Sequence, residues 1–307
     1  MHSVTIIVSN FFIVVFFLIG TALADEGDTE TITLLSWNLE NLNGRAGEEL
    51  FEGRSFARTD RDYNAIRAYL IDSKADIILL QEIGDQRALE KILPMQYSYI
   101  LSEAYHLRDS DSRQLYTAIA FDARILRLTG SVSIAPFASN SRIPLTESRA
   151  TVGLRLQPKG RRDIWVLSAH LKSSCHNKLL PDPNGLLTAC VIYYEQMINL
   201  AQAVKRLRRD GTALVLGGDF NRRGDPNYLE DPFLNIITGQ GGIISRSLER
   251  KCPTYAGRNR DPIDYFILFG NSLVSNATKE RIFDPSDIDQ GYDLSDHCPI
   301  IMELSIL

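Results

Sequence analysis

The sequence has no excess of positive charge and few cysteines. Its formal net charge is −5 and its pI is about 5.6. These values exclude a strongly basic nucleic-acid clamp, but they remain compatible with a nucleic-acid enzyme whose acidic residues hold a metal. Only four cysteines occur, and no two of them have a CxxC spacing. A zinc site is therefore a weak alternative for these residues.

The chain also lacks internal repeats, low-complexity tracts and a Gly/Ser/Pro linker that would divide it. At 44% hydrophobic and 23% charged residues, it has the composition of a globular protein with a core. After residue 24, no apolar run approaches membrane-spanning length. We therefore expect residues 25–307 to form a single domain.

 The mature protein is thus expected to be a monomer without stable membrane association.

Residues 1–24 are the exception to this lack of long apolar runs. They combine an apolar stretch, Phe11–Ile19, with an Ala-Leu-Ala tripeptide at 22–24. This pattern is typical of a signal peptide with an A-x-A cleavage site. The segment lacks Lys and Arg, and Val4–Leu23 is about long enough to span a bilayer, so an uncleaved anchor is the alternative. We predict a signal peptide over 1–24 and a secreted or periplasmic protein.

The four cysteines suggest two disulfides if the protein is exported to an oxidising compartment. Three pairings are possible, and we favour Cys175–Cys190 with Cys252–Cys298. The first bond would close a loop spanning 15 positions. On the chain-entropy estimate such a loop contributes about 3 kcal/mol to stability.

Runs of β-branched and apolar residues predict strands that alternate with loops and a few helices. Amphipathic patterns predict helices over Asp60–Asp72 and Tyr193–Arg209, with a weaker third over Gly84–Leu93. The predicted strands are Thr31–Trp37, Asp76–Gln81, Tyr116–Phe121, Ala150–Leu156, Ile164–Ala169, Ala213–Leu216, Ile263–Phe269 and Pro299–Leu304.

Polar side chains follow four of these strands and precede, or lie at the head of, two others. If the last two strands lie antiparallel to the other four, all of these side chains meet at one rim of the sheets. Carboxylates concentrated in this way persist only with a cation or histidinium partners, and oxygen ligands suit Mg²⁺ or Mn²⁺. The residues are Asn38, Glu82, His170, Asp219, Asn221, Asp264, Asp296 and His297.

Six short motifs contain these residues in order: SWNLEN, LQEI, SAHLKSS, GGDFN, PIDYFIL and SDHCPI. Together they resemble the endonuclease/exonuclease/phosphatase superfamily, which is deoxyribonuclease I-like, and the chain looks like its exported bacterial members. The resemblance covers residues 31–307. It implies an α/β fold, a four-layer α/β/β/α sandwich with two mixed β-sheets, and divalent-metal phosphodiesterase or phosphatase chemistry at one rim.

The resemblance also implies a role for each residue. Asn38, Glu82 and Asp296 would form the metal site, with Glu82 as the principal ligand. His170 and Asn221 would contact the scissile phosphate, and Asp219 would orient or deprotonate the attacking water. Asp264 and His297 would form the family's Asp–His pair, in which the carboxylate fixes the imidazole tautomer.

Candidate substrate-binding residues are less specific to the motifs. Arg149 and Tyr116 occupy positions that often contact substrate in the family. Arg222 and Arg223 follow GGDFN and are not general to the superfamily, so they are either solvated loop charges or contacts to a substrate backbone. Glu40 stands where some relatives have Asp, a departure that could alter the metal geometry.

Three functions remain open. The first is a secreted, metal-dependent nuclease with DNA or RNA as its substrate. The second is a lipid or small-molecule phosphodiesterase or phosphatase, similar to a sphingomyelinase or phosphoinositide phosphatase. A membrane-acting enzyme should expose an aromatic wedge, whereas Trp37 and Trp165 lie inside predicted strands. The third is a non-catalytic binding module, which is disfavoured because no central site residue is missing.

Overall fold

The computed structural model describes residues 31–106, 114–136, 149–175, 180, 188–223, 232–247, 252 and 262–307. The helices are α1 (Asp60–Asp72), α2 (Gln86–Ile92), α3 (Thr188–Leu207), α4 (Pro232–Thr238) and α5 (Pro285–Asp289). The strands are β1 (Thr31–Leu42), β2 (Ile77–Ile83), β3 (Tyr97–Leu101), β4 (Tyr116–Asp122), β5 (Leu126–Ile134), β6 (Thr151–Pro158), β7 (Ile164–His170), β8 (Ala213–Asp219), β9 (Gly242–Ser245), β10 (Asp264–Phe269), β11 (Leu273–Ser275), β12 (Lys279–Glu280) and β13 (Ile300–Ile306).

The strands form two mixed sheets. One has the order β11-β13-β1-β2-β4-β3, with β12 also pairing with β13, and the other has the order β5-β6-β7-β8-β10-β9. Each sheet contains one central parallel pair, β1 with β2 and β7 with β8, and each pair has antiparallel neighbours. Because β13 and β10 run against these central strands, their starts lie at the same rim as the ends of the central strands.

Helices cover the outer face of each sheet, so the molecule has four layers. Alternate residues of β1 show how one strand serves two cores. Leu34 faces the core between the sheets, whereas Leu35 and Trp37 face the core under α1 and α2. A third core lies between the second sheet and α3 with α4. The α/β/β/α sandwich expected from the sequence is confirmed.

Two glycines allow β8 to lie close to its neighbours. A Cβ atom on Gly217 would meet the Phe266 ring at 2.6 Å, and one on Gly218 would meet the carbonyl oxygen of Ala169 at 2.0 Å. Gly218 also has a φ of +142°, which L side chains rarely adopt. The glycines at the end of β8 therefore place Asp219 directly beside β7 and β10.

The predicted strands all occur, with ends shifted by a few residues. Of the predicted helices, Asp60–Asp72 has the same bounds in the structure, and Tyr193–Arg209 is longer at its start and ends at Leu207. The sequence pattern missed strands β3, β5, β9, β11 and β12 and helices α4 and α5.

Both favoured disulfides are present. Cys175 bonds to Cys190 and Cys252 bonds to Cys298, so all four described cysteines are paired. The zinc alternative is therefore wrong for these thiols. Within the described ranges, no helix has the length and apolar character needed to cross a membrane. The predicted signal peptide, residues 1–24, lies outside the described residues.

Candidate active site

Strand pairing brings the predicted site residues to one rim. Asp219 at the end of β8 pairs with His170 at the end of β7 and with Asp264 at the start of β10. In the other sheet, Asn38 of β1 pairs with Gln81, the residue before Glu82. The two groups meet because the Asn38 amide donates a hydrogen bond to Asp219 Oδ2 at 3.0 Å.

Asp219 is the centre of this arrangement. Asn221 donates to it twice, from its backbone N–H to Oδ1 at 2.8 Å and from its side chain to Oδ2 at 3.1 Å. The carboxylate is only 1% exposed. Burial and then the nearby Asp264 charge raise the pKa of Asp219 to about 7, against the opposing effects of His297 and the hydrogen bonds.

His297 and Asp264 form the predicted pair. His297 Nδ1 lies 2.7 Å from Asp264 Oδ2, and this contact fixes the ring so that Nε2 faces the site. There, Nε2 lies 3.9 Å from Asp219 Oδ2 and 3.7 Å from Asp296 Oδ1. Burial alone would lower the pKa of His297, but the surrounding carboxylates outweigh it and raise the pKa well above its usual value.

His170 has the opposite electrostatic environment. Burial lowers the pKa of His170 well below its usual value, and the positive charges of Arg149, His297 and Lys172 add to this effect. The ring is therefore neutral. Its Nε2 lies 3.5 Å from Asp219 Oδ2 and 3.6 Å from Glu82 Oε1, so this nitrogen is placed to carry the single ring proton.

A cluster of three carboxylates, Glu40, Glu82 and Asp296, lies beside these residues. Glu40 accepts a hydrogen bond from the backbone N–H of Asp296 at 2.6 Å, and Glu82 accepts one from Asn41 at 3.0 Å. Burial, followed by the charge of Asp296 and more weakly that of Glu82, raises the pKa of Glu40 to about 7. Without a neutralising charge, the mutual repulsion of these carboxylates therefore destabilises the ionised cluster.

The backbone of this cluster is held in unusual conformations. Glu40, Asn41 and Glu82 all have positive φ values, of 45°, 58° and 60°. These residues lie where the pairing of β1 with β2 shifts register, between Asn38 and Leu42. Non-glycine residues in this region cost about 1–3 kcal/mol each and are concentrated at functional sites. The irregularity turns the carboxylates toward the rim.

The donor set fits a hard divalent cation. Glu40, Glu82 and Asp296 offer carboxylate oxygens, and the Asn38 amide oxygen lies beside them, bonded to the Glu40 N–H at 3.0 Å. Oxygen donors of this kind suit Mg²⁺ or Mn²⁺. A cation would also offset the mutual repulsion that raises the Glu40 pKa. Glu40 therefore joins the predicted metal residues Asn38, Glu82 and Asp296.

Two groups of described residues outside this carboxylate cluster have potential ligand atoms close together. Asp219, Asp264 and His297 have such atoms within 4.8 Å of one another, but His297 Nδ1 is already bonded to Asp264. We assign that group to proton handling. The second group is Cys252, Glu280 and Cys298, in which the disulfide removes both thiolates.

Two of the predicted substrate contacts, Arg149 and Tyr116, differ in their position relative to the site. Arg149 is half-buried, and its charge acts on His170, which places it near the site. Tyr116 lies beside Ile83 at the rim end of β4 but is 1% exposed and packs edge-on against Tyr105. A substrate contact by the Tyr116 hydroxyl therefore stays a prediction.

Arg222 differs from both of its expected roles. Only 2% of it is exposed, and its guanidinium lies 5.6 Å from the ring centroid of Tyr193. It is therefore not a solvated loop charge, and it does not present its charge to substrate in this conformation. The exposed arginine is its neighbour Arg223. Packing of a guanidinium on a buried aromatic ring cannot be read from a sequence.

The side chain of Asn221 is bonded within the site. Both hydrogens of its side-chain amide are engaged, by the Leu171 carbonyl at 3.0 Å and by Asp219 Oδ2 at 3.1 Å. In this arrangement Asn221 holds Asp219 in place, and its contact with a phosphate oxygen stays a prediction. Its own φ of 50° is the local geometry that allows two bonds to one carboxylate.

Sequence reasoning missed several residues that support the site. Trp37 donates its indole N–H to the His297 carbonyl at 2.8 Å, and Ser295 donates to the Asn38 carbonyl at 2.6 Å. Gln81 donates to Ser168 Oγ at 3.0 Å, which joins the two sheets beneath the site. Trp37, Ser295 and Gln81 lie inside the quoted motifs, next to predicted site residues, and this position is the signal that could have identified them.

Comparison with known proteins is consistent with this geometry. The human nocturnin catalytic domain with bound sulfate has a TM-score of 0.58 and 16% identity, covering 90% of this chain and 95% of that one. Truncated TDP2 from Caenorhabditis elegans gives 0.58 and 19%, covering 90% and 97%. A mannosyl-6-phosphatase from Bacteroides thetaiotaomicron gives 0.61 and 16%, covering 90% and 100%. At such low identities, these TM-scores show a shared fold alone.

No protein of curated function matches the sequence significantly. The profile of the endonuclease/exonuclease/phosphatase family, however, matches residues 35–297. That range contains every residue of the rim, from Asn38 to His297. The chain therefore belongs to the endonuclease/exonuclease/phosphatase family.

Proposed function

We propose that this protein is a divalent-metal-dependent phosphodiesterase that hydrolyses the backbone of DNA or RNA. One observation carries the proposal. His297 Nε2, oriented by Asp264, lies between Asp219 Oδ2 at 3.9 Å and Asp296 Oδ1 at 3.7 Å. A group that can hold a proton is thereby placed between a buried carboxylate and the carboxylate cluster suited to a cation.

The chemistry of phosphodiester hydrolysis explains why these groups are needed together. The substrate is an anion, so its phosphoryl oxygens need neutralisation, and the attacking water needs orientation. A divalent cation held by Asn38, Glu40, Glu82 and Asp296 would supply the neutralising charge. The remaining requirements fall to the chain's own side chains.

Asp219 is the residue best placed to orient water. Its Oδ2 accepts hydrogen bonds from Asn38 and Asn221, which fix the carboxylate in position. A water that donates to Asp219 would be held next to His297 Nε2, which can exchange a proton with it. Neutral His170, with Nε2 directed at the same carboxylate, can donate to a phosphoryl oxygen.

Positive charge near the site favours a polynucleotide as substrate. Arg149 and Lys172 both act electrostatically on His170. Arg223 is exposed and lies two residues after Asn221. A polynucleotide carries phosphates on both sides of the scissile bond, and cations beside a catalytic centre are the usual contacts to such phosphates.

The test is a comparison of substrates with the purified protein. Plasmid DNA, RNA, sphingomyelin vesicles and a small phosphomonoester are each offered with Mg²⁺ or Mn²⁺, with and without EDTA. We expect cleavage of a polynucleotide that EDTA abolishes. Hydrolysis of sphingomyelin or the monoester alone would replace the nuclease proposal with the lipid or small-molecule alternative.

The charge argument has its own test in Arg223→Ala. This change should raise KM for the polynucleotide and reduce the salt dependence of binding by about one phosphate contact. Hydrolysis of bis(p-nitrophenyl) phosphate, which has no flanking phosphates, should be unaffected. An unchanged salt slope would show that Arg223 makes no backbone contact.

A further inference from the structure

Arg58 is a buried charged residue that the chemistry above does not use. Only 1% of it is exposed, although it lies at the end of the long loop between β1 and α1. Burying a guanidinium costs several kcal/mol unless its donors find good partners. The fold must therefore supply hydrogen-bond acceptors for the buried guanidinium.

The guanidinium donates hydrogen bonds to three main-chain carbonyls. Its Nε donates to Asp293 at 2.7 Å, Nη1 donates to Glu40 at 3.0 Å, and Nη2 donates to Leu294 at 2.6 Å. Phe56 lies against the same group, with its ring centroid 5.2 Å from the guanidinium carbon. The three nitrogens lie in one rigid plane, so their hydrogen bonds hold the backbone at Glu40 next to the backbone at residues 293–294.

These two segments carry the carboxylates of the candidate metal site. Glu40 is itself one of the bonded residues, and Leu294 lies two positions before Asp296. The segments are distant in sequence, since Glu40 and Asp296 are separated by 256 positions. Their direct contact is the 2.6 Å hydrogen bond from the Asp296 N–H to the Glu40 carboxylate. Arg58 holds the main chain on both sides of that contact.

Arg58 also supports an unusual backbone conformation at Glu40. Glu40 has a left-handed backbone, with a φ of 45°, which needs support from surrounding contacts. The hydrogen bond from Arg58 to the Glu40 carbonyl supplies such support.

We propose that Arg58 is a positioning residue for the metal site: it fixes the Glu40 and 293–294 backbones so that Glu40 and Asp296 face one divalent cation. The proposal rests on the cation site of the proposed function, but not on the identity of the substrate. Lysine cannot replace Arg58, because an ammonium group cannot direct three donors along the same fork.

Arg61 offers a matched control. It is also an arginine that donates to a main-chain carbonyl of the same C-terminal region, that of Gln290, and its guanidinium lies 4.2 Å from the Tyr292 ring centroid. Unlike Arg58, it is exposed, and its contacts do not reach a carboxylate of the cluster. Arg61→Ala should therefore leave the metal site unchanged.

The experiment measures Mn²⁺ binding by calorimetry, without substrate, for the unaltered protein, Arg58→Lys, Arg58→Ala and Arg61→Ala. We expect both Arg58 variants to bind Mn²⁺ about 10- to 100-fold more weakly, as for other residues that orient ligands. The kcat for bis(p-nitrophenyl) phosphate should fall with KM less affected. Millimolar guanidinium should restore part of the Mn²⁺ affinity of Arg58→Ala, since it can fill the vacated site.

Folding is checked separately by melting temperature and circular dichroism. Arg58→Lys keeps the charge and most of the side chain, so it tests the proposal even if Arg58→Ala does not fold. If folded Arg58→Lys binds Mn²⁺ as tightly as Arg61→Ala, the proposal is wrong and Arg58 has only a stabilising role. Because the Mn²⁺ binding measurement uses no substrate, failure of the nuclease proposal would leave its result unaffected.

Discussion

At the scale of single residues, Asp219 shows how one carboxylate can organise a site. Nitrogens of Asn38, Asn221, His170 and His297 all lie within 3.9 Å of its Oδ2. Two of these contacts are hydrogen bonds that hold the carboxylate, and the pKa values of the two imidazoles are shifted in opposite directions. The same oxygen is therefore both fixed in position and next to groups that donate or exchange a proton.

Asp219→Asn should reduce turnover by about 10²-fold or more, because the neutral amide cannot accept a proton from water. The fold should survive, since Asn retains an oxygen for the Asn221 N–H and removes the repulsion from Asp264. The measurement is kcat for bis(p-nitrophenyl) phosphate together with the melting temperature. Asp60→Asn, an exposed carboxylate, is the control, and a near-normal rate in Asp219→Asn would refute the assigned role.

Asp62 provides a residue-scale prediction about pH. Burial opposes ionisation of Asp62, but hydrogen bonds from the Thr59 N–H, the Thr59 hydroxyl and the Asp293 N–H outweigh it. The pKa of Asp62 is therefore lowered from 3.8. A lowered pKa means that ionised Asp62 stabilises the fold above pH 3.8, and this stabilisation is lost as the pH falls through the native pKa.

Asp62→Asn should accordingly destabilise the protein by about 1 kcal/mol at pH 7, the usual value of a capping interaction. The difference should shrink as the pH falls below 4, where the native carboxylate also becomes neutral. Urea unfolding at stepped pH values measures both quantities. A difference that is the same at pH 7 and pH 3 would show that the charge of Asp62 contributes nothing.

At the scale of elements, the central strands could be predicted because they are buried on both faces and read as continuous apolar runs. Strand β5 could not, since it is an edge strand whose exposed positions carry mostly polar residues. The irregular backbone conformations at the rim could not be predicted from the sequence either. Glu40, Asn41 and Glu82 adopt positive φ without being glycine, and such conformations depend on tertiary contacts.

The glycines of strand β8 allow a prediction about the effect of its close packing on stability. Gly218→Ala should destabilise the protein by about 3 kcal/mol or more, because the new Cβ would overlap the Ala169 carbonyl oxygen. Gly160→Ala is the matched control, since its φ is +74° but nothing lies within 4 Å. That change should cost only about 1–2 kcal/mol of backbone strain. Equal losses in the two variants, measured by urea unfolding, would contradict the close approach of β8 to β7.

At the scale of the whole molecule, strand direction was enough to predict which residues share a rim. Motif order identified Asn38, Glu82, Asp219 and His297, because each is adjacent to a strand that can be read. The distances between them depend on how the two sheets pack, which contacts such as Gln81 to Ser168 determine. Residues such as Arg58 act between segments distant in the chain, so local patterns contain no signal for them.

The two disulfides also act at this scale, because each fixes a segment that follows a site histidine. Cys175 lies five residues after His170 and is tied to α3 through Cys190, whereas Cys298 follows His297 directly. The bonds span 15 and 46 positions, for which chain entropy gives about 3 and 4 kcal/mol.

Replacing each pair by serine should therefore lower the free energy of unfolding, with the larger loss for Cys252→Ser with Cys298→Ser. That variant should also lose activity, since the backbone of His297 then loses one anchor and keeps the Trp37 bond to its carbonyl and the Ser295 bond to its N–H. Urea unfolding and kcat for bis(p-nitrophenyl) phosphate measure the two effects. If dithiothreitol leaves both the melting temperature and the rate unchanged, the disulfides neither stabilise the fold nor hold the histidine.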